Sequence, residues 1–284
     1  MNKLLKALVF DDQFSVSVLE TTEMVNKAIK IHNLSPVASA ALGRTMTVAT
    51  FMSSNLKNEK DKLSITISGN GKGGKITVCG NKKLEMRGVV DNPTVDLPPR
   101  LDGKLDVGGF VGKEGKLTVI KSMGLKEPYV GSSALVSGEI AEDFTSYFAI
   151  SEQQPTAIAV GVKIGKNLKC IGAGGVIIQA LPFANEENIV KAENIMKGLK
   201  NVSTLIEENG AEGLLKKLFG EIEYVLYNPK YKCLCSRKYI ESVLLSLGKN
   251  ELYDIIDKEG KVEVGCEFCN KKYLFNREDI DKLF

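Results

Sequence analysis

Four cysteines in the last quarter of the chain constrain its folding more than any other feature: Cys233-Leu234-Cys235 and Cys266-Glu267-Phe268-Cys269. Thirty residues, 236 to 265, separate the two pairs. Two close pairs of thiols at opposite ends of a short insert predict a tetrahedral zinc site, because Zn²⁺ binds four soft thiolates at about 2.3 Å. The only histidine, His32, lies far upstream, so such a site is all-thiolate. The first pair is C-x-C rather than the usual C-x-x-C. Matched pairs this close argue against four unrelated buried cysteines. The other two, Cys79 and Cys170, stand outside the pattern and read as small buried hydrophobes.

The cysteine unit, about 229 to 284, is near the size at which an apolar core alone is marginal and a metal staple helps. Within it Ile240, Val243, Leu244 and Leu247 follow helical spacing up to Gly248, and Leu252, Ile255 and Ile256 give a second helix. Val262 and Val264 lead as a strand into Cys266, and Tyr273 to Phe275 leads out. Its 11 basic and 10 acidic residues are a poor match to a phosphate-binding surface. The whole chain balances 38 Lys and Arg against 35 Asp and Glu, for a net +3 that argues against a dedicated nucleic-acid binder. Asp11 and Asp12 interrupt the start of the chain, which leaves no h-region of a signal peptide, and no run approaches the ~18 apolar residues of a membrane span. Paired thiols without an export signal point to a reducing cytosol, where they stay reduced and can hold metal.

Ahead of the cysteine unit, Leu4–Phe10 and Phe14–Leu19 read as strands around a turn, followed by a helix from Thr21 or Thr22 and a second from Ser35-Pro36 to about Ser53. His32, at the end of the first helix, reads as a capping or surface residue; no motif surrounds it to make a Ser-His-Asp or Cys-His engine. Gly69-Asn70-Gly71-Lys72-Gly73-Gly74 fits G-x-G-x-x-G, and with Lys75 most of a P-loop. Both phosphate sites need a helix next, whose amides hold the phosphate; here Lys75 to Gly80 reads as a strand, so a glycine-rich hairpin turn without nucleotide is expected. Strands at Leu84–Val90, Leu117–Lys121 and Tyr129–Ser137 lead to a helix from Gly138, carrying Ile140, Phe144, Tyr147 and Phe148 as core. Strands Thr156–Ile164 and Lys169–Ala180 follow, and Gly172-Ala173-Gly174-Gly175 suggests a bulge or close backbone approach.

From Pro182 to Asn228 the chain reads as short amphipathic helices broken at Gly198, Gly210 and Gly220. Apolar stripes run through Ile189, Ile195 and Leu199 and through Leu214, Leu218 and Phe219. The stretch is either a connector packed on the sheet domain or a marginal segment whose apolar faces can be uncovered. The fold class is therefore α+β: a largely antiparallel sheet domain with helices (1–181), an amphipathic helical linker (182–228) and a small C-terminal Cys₄ zinc domain (229–284).

The two cysteine spacings, Gly138-Glu139-Ile140-Ala141-Glu142-Asp143, Tyr147-Phe148 with Ser151-Glu152-Gln153 before Pro155, and Cys266-Glu267-Phe268-Cys269 with Tyr273 and Phe275 closely resemble the redox-regulated 33-kilodalton heat-shock chaperone family. The resemblance covers essentially the whole chain. It implies an ATP-independent holdase rather than an enzyme: a reduced cytoplasmic monomer with one zinc on Cys233, Cys235, Cys266 and Cys269. Oxidation would convert these thiols to the disulfides Cys233–Cys235 and Cys266–Cys269, release the metal, unfold the metastable linker and yield a dimer that holds unfolding clients. No nucleic acid, membrane or nucleotide is implied. The physics agrees with a switch, since structural zinc contributes roughly 10–16 kcal/mol of apparent folding energy. A disulfide closing so short a loop supplies only about 2 kcal/mol. Two other classes stand beside this reading: a plain structural zinc module, and a thiol–disulfide oxidoreductase using Cys266 and Cys269 alone. The latter expects a helix after the C-x-x-C, where Asn270 to Phe275 reads as a strand.

Overall fold

The computed structural model describes residues 1–124 and 126–284, which fall into two compact units, Met1–Tyr231 and Lys232–Phe284. The first opens with a hairpin of β1 (Lys3–Val9) and β2 (Phe14–Glu20), then helices α1 (Thr22–His32) and α2 (Pro36–Ser54). Strands β3 (Lys62–Ser68), β4 (Ile76–Asn81) and β5 (Glu85–Val90) precede a short helix α3 (Val107–Val111) and strands β6 (Lys116–Ser122) and β7 (Tyr129–Ala134). Helix α4 (Ile140–Tyr147) runs into a π-type turn at Phe148–Glu152, followed by β8 (Thr156–Ile164) and β9 (Cys170–Ala180). Helices α5 (Glu186–Lys197) and α6 (Val202–Phe219) and the short strands β10 (Val225–Tyr227) and β11 (Lys230–Tyr231) complete it.

These strands make two sheets, where the sequence reading had one. Five antiparallel strands run in the order β10-β1-β2-β9-β8, and six in the order β11-β5-β4-β3-β6-β7, antiparallel except for the parallel β11–β5 pair. Helix α2 packs against strands of both sheets and is buried along nearly its whole length. Its sequence explains this. Ser35 caps it, accepting from the Ala38 amide at 3.2 Å, Pro36 starts it, and Ala, Gly, Ser and Thr let strands approach closely. Thr45, Thr47 and Thr50 donate back to the carbonyls of Ala41, Gly43 and Met46 at 2.7–2.9 Å, so their buried hydroxyls are satisfied. A Cβ on Gly43 would lie 2.9 Å from both Val25 and Val162.

A second apolar cluster joins Leu5, Val16, Val18, Val176 and Ile178 of the five-stranded sheet to Ala192, Leu199, Val202, Ile206, Leu214 and Leu215 of α5 and α6. Helix α6 is broken at Gly210 (φ 65°), one of the expected breakpoints. The glycines of β9 serve the close approach anticipated for them: a Cβ on Gly172 would meet the Ser203 carbonyl oxygen of α6 at 2.3 Å. Gly69–Gly74 is the turn between β3 and β4, with no helix after it.

The end of the unit spans both sheets. β10 pairs with β1 at the edge of one, and β11 with β5 at the edge of the other. Asn2 donates to the Pro229 carbonyl, the Lys230 amide to that of Leu84, and Lys27 to that of Tyr231, at 3.0–3.2 Å. The buried Tyr231 hydroxyl donates to the Gly88 carbonyl at 3.2 Å and lies 3.2 Å from His32 Nε2. His32 is thus buried and hydrogen-bonded, not a surface residue. Cys79 is half-buried with its thiol 3.7 Å from the Ser64 hydroxyl, and Cys170 is buried.

The second unit contains α7 (Arg237–Leu247), α8 (Lys249–Glu259), a hairpin of β12 (Val262–Gly265) and β13 (Lys272–Phe275), and α9 (Arg277–Asp281). Its core is small: Ile240, Leu244, Leu252, Ile256, Val262, Tyr273, Phe275 and Ile280. No helix among the described residues is long and apolar enough to cross a membrane.

Candidate metal centre

The two cysteine pairs are presented by different kinds of backbone. Cys266 and Cys269 sit in the turn of the β12–β13 hairpin, where Gly265 pairs with Lys272. The Cys266 amide donates to the Lys271 carbonyl at 3.0 Å, while the amides of Cys269 and Asn270 both donate to the Cys266 carbonyl at 3.2 and 2.8 Å. Asn270 takes the left-handed conformation (φ 56°) that lets the chain turn back into β13, a conformation asparagine tolerates better than most residues. The knuckle is therefore shaped by its own amides. Cys233 and Cys235 lie in an irregular stretch, 232–236, immediately before α7, whose cap is Ser236 accepting from the Tyr239 amide at 3.2 Å.

The four sulfurs converge, all within 4.8 Å of one another. Cys233 Sγ is 3.6 Å from Cys266 Sγ, and Cys235 Sγ is 3.4 Å from Cys269 Sγ. A tetrahedron of 2.3 Å metal–sulfur bonds has edges of about 3.8 Å, so this donor set fits a thiolate-bound ion. Cys79 and Cys170 lie outside the cluster. Burial pushes the Cys233, Cys266 and Cys269 thiols up. For Cys235 burial acts the same way, but the Tyr273 hydroxyl, donating at 3.2 Å, and the neighbouring thiols outweigh it and draw its pKa down to about 7. That same bond to Cys235 pushes the Tyr273 phenol up to about 12, so it keeps its proton and remains a donor. Sequence spacing named the four sulfurs but not the contact from Tyr273, which depends on how β13 folds back beside Cys235.

The chain matches the model of the family described as Hsp33 protein over residues 2–276. It is 43% identical over 286 residues to a 33 kDa chaperonin of Alkaliphilus oremlandii, covering 99% of this chain and 96% of that one. A 33 kDa chaperonin of Bacillus cereus is 44% identical, with 99% and 97% covered. The crystal structure of the 33 kDa chaperonin (heat shock protein 33 homolog) of Thermotoga maritima superposes with a TM-score of 0.90 at 36% identity, covering 99% of this chain and 97% of that one. With a matching family model along nearly its whole length and relatives of this similarity, the chain belongs to the Hsp33 chaperone family.

Proposed function

We propose that this chain is a redox-regulated, ATP-independent holdase of the cytoplasm, with Cys233, Cys235, Cys266 and Cys269 as both its zinc ligands and its sensor. The observation that carries the reading is the convergence of four sulfurs in a unit whose apolar core is small. Cys233 and Cys235 of the irregular 232–236 arm and Cys266 and Cys269 of the hairpin knuckle would together hold the ion, and its binding would tie the two to one another. The thiols supply the sensing chemistry. Each pair of thiolates would give two electrons to one peroxide, which takes two protons from solvent, forming one S–S bond and two waters. Pairing Cys233 with Cys235 and Cys266 with Cys269 consumes all four donors and joins neither arm to the other. The small core is then left to hold the unit alone.

Loosening would reach residues 182–228 through the chain at Lys232, and release of α5 and α6 would uncover the cluster around Val16, Val176, Ile206 and Leu214. Apolar contact is non-directional, so such a surface suits unfolded partners of any sequence. The active form is proposed as a dimer. The oxidoreductase reading is disfavoured because β13, not a helix, follows Cys269, and both thiols of that pair are pushed up by burial. Zinc content and suppression of client aggregation, measured before and after peroxide treatment, test the proposal. Equal aggregation suppression in both states would refute the switch; absence of zinc from the reduced protein would refute the centre.

A further inference from the structure

The two halves of the cysteine cluster differ in what shapes them. Backbone hydrogen bonds form the Cys266–Cys269 knuckle, whereas Cys233 and Cys235 lie on irregular chain. Two side chains tie that arm to β13. Arg237, two residues after Cys235, lays its guanidinium over the Phe275 ring at 4.2 Å from the centroid, donates Nη1 to the Leu274 carbonyl at 2.9 Å and pairs Nη2 with Asp279 at 3.0 Å. Its Nε faces Glu241 at 3.4 Å. Tyr273, on the same strand, donates its hydroxyl to Cys235 Sγ at 3.2 Å. The planar guanidinium suits this double duty, since it stacks on a ring while its fork of N–H groups reaches a carbonyl and a carboxylate.

We propose that Arg237 and Tyr273 are positioning residues for the four-thiolate centre: they hold the Cys233–Cys235 arm against the knuckle and so set how tightly the centre keeps its metal. The inference rests on the metal reading above. Partners that orient metal ligands typically carry roughly 10–100-fold in metal affinity. Tyr273→Phe removes one oxygen and leaves the ring in the core, so its effect reports the bond to Cys235 rather than packing. Arg237→Lys keeps the charge but loses the stack and the fork.

The test is zinc affinity of the reduced full-length chain by chelator competition, with cobalt substitution as the spectroscopic readout. Tyr273→Phe is expected to weaken zinc binding about 10-fold and to shift the thiolate-to-cobalt absorption. Arg237→Ala is expected to weaken it by roughly 10–100-fold, with Arg237→Lys failing to restore it. Arg277→Ala serves as the control. That arginine stacks over Tyr253 at 4.9 Å and pairs with Asp257 at 2.9 Å in the same unit, without touching the cysteines. Wild-type affinity and an unshifted cobalt spectrum in Tyr273→Phe and Arg237→Ala would overturn the inference while leaving the centre standing. So would losses no greater than that of Arg277→Ala, which would reduce both residues to general stability. A wild-type chain that binds no zinc would overturn the centre itself, and this inference with it.

Discussion

Gly172→Ala isolates the docking of α6 from the chemistry of the cysteines. Gly172 lies on β9 beneath α6, and an added Cβ would stand 2.3 Å from the Ser203 carbonyl oxygen and 3.0 Å from Glu207 Cβ. The first is backbone, so no side chain can swing aside; the helix must withdraw by about 1 Å to restore ordinary contact. Overpacking of this kind costs about 1–3 kcal/mol. The loss falls on the cluster of Val16, Val176, Ile206 and Leu214, which is separate from the core around α2. If α6 exchanges through local opening, that cost raises amide exchange in residues 202–219 by roughly 5- to 150-fold. Exchange in β3–β7 should not change. If uncovering this face is what recruits clients, the reduced variant should also suppress aggregation without any oxidant. The assay is hydrogen exchange and client light scattering on the same reduced sample. Unchanged protection of α6 would refute the packing argument, and faster exchange in α6 with no suppression of aggregation would place the client surface elsewhere.

Three further outcomes are expected. Cys233→Ser should lose most or all bound zinc and unfold the chain from about 232 onward, while Cys79→Ser keeps both metal and fold; metal analysis with limited proteolysis reads both. Peptide mapping after peroxide should recover the bonds Cys233–Cys235 and Cys266–Cys269, and recovery of the crossed pairs would mean that oxidation ties the two arms together instead of parting them. Burial pushes the Cys170 thiol up to about 12, against an ordinary value of 9.0, so it should resist alkylation at pH 8 until the first unit unfolds. Because the folded value is the higher one, the corresponding stability is present below pH 9 and is lost as pH rises from about 9 toward 12. Denaturation midpoints of Cys170→Ala should therefore fall less over that range than those of the parent chain.

The four-cysteine cluster was legible because its thiols come as local pairs, and a spacing of one or two residues survives any tertiary arrangement. The helix starts at Thr22 and Pro36 and the break at Gly210 were legible for the same local reason. Partition of the strands into two sheets was not, because pairing of β2 with β9 or β3 with β6 joins residues far apart in sequence. The helix α3 was missed because Val107-Gly108-Gly109-Phe110-Val111 has poor helix formers at its centre; Asp106 caps it by accepting from the Gly109 amide at 2.9 Å. β10 and β11 are three and two residues long, too short for an alternating pattern to show. His32 and Arg237 acquire their roles from Tyr231 and Phe275, and no spacing near either residue names those partners.

The strand pair at 225–231 has a consequence for the order in which the chain comes apart. A disturbance entering at Lys232 meets β11 first, then β10, and only afterwards α6. Edge strands this short open like a seam unpicked from one end, each stitch bearing the strain alone. The first stitch is the largest, since Tyr231 must withdraw a buried ring and surrender its bonds to Gly88 and His32, a step of about 2 kcal/mol for the ring alone. If the proposed unfolding reaches α6 along the chain from Lys232, release of Tyr231 is the first barrier it meets.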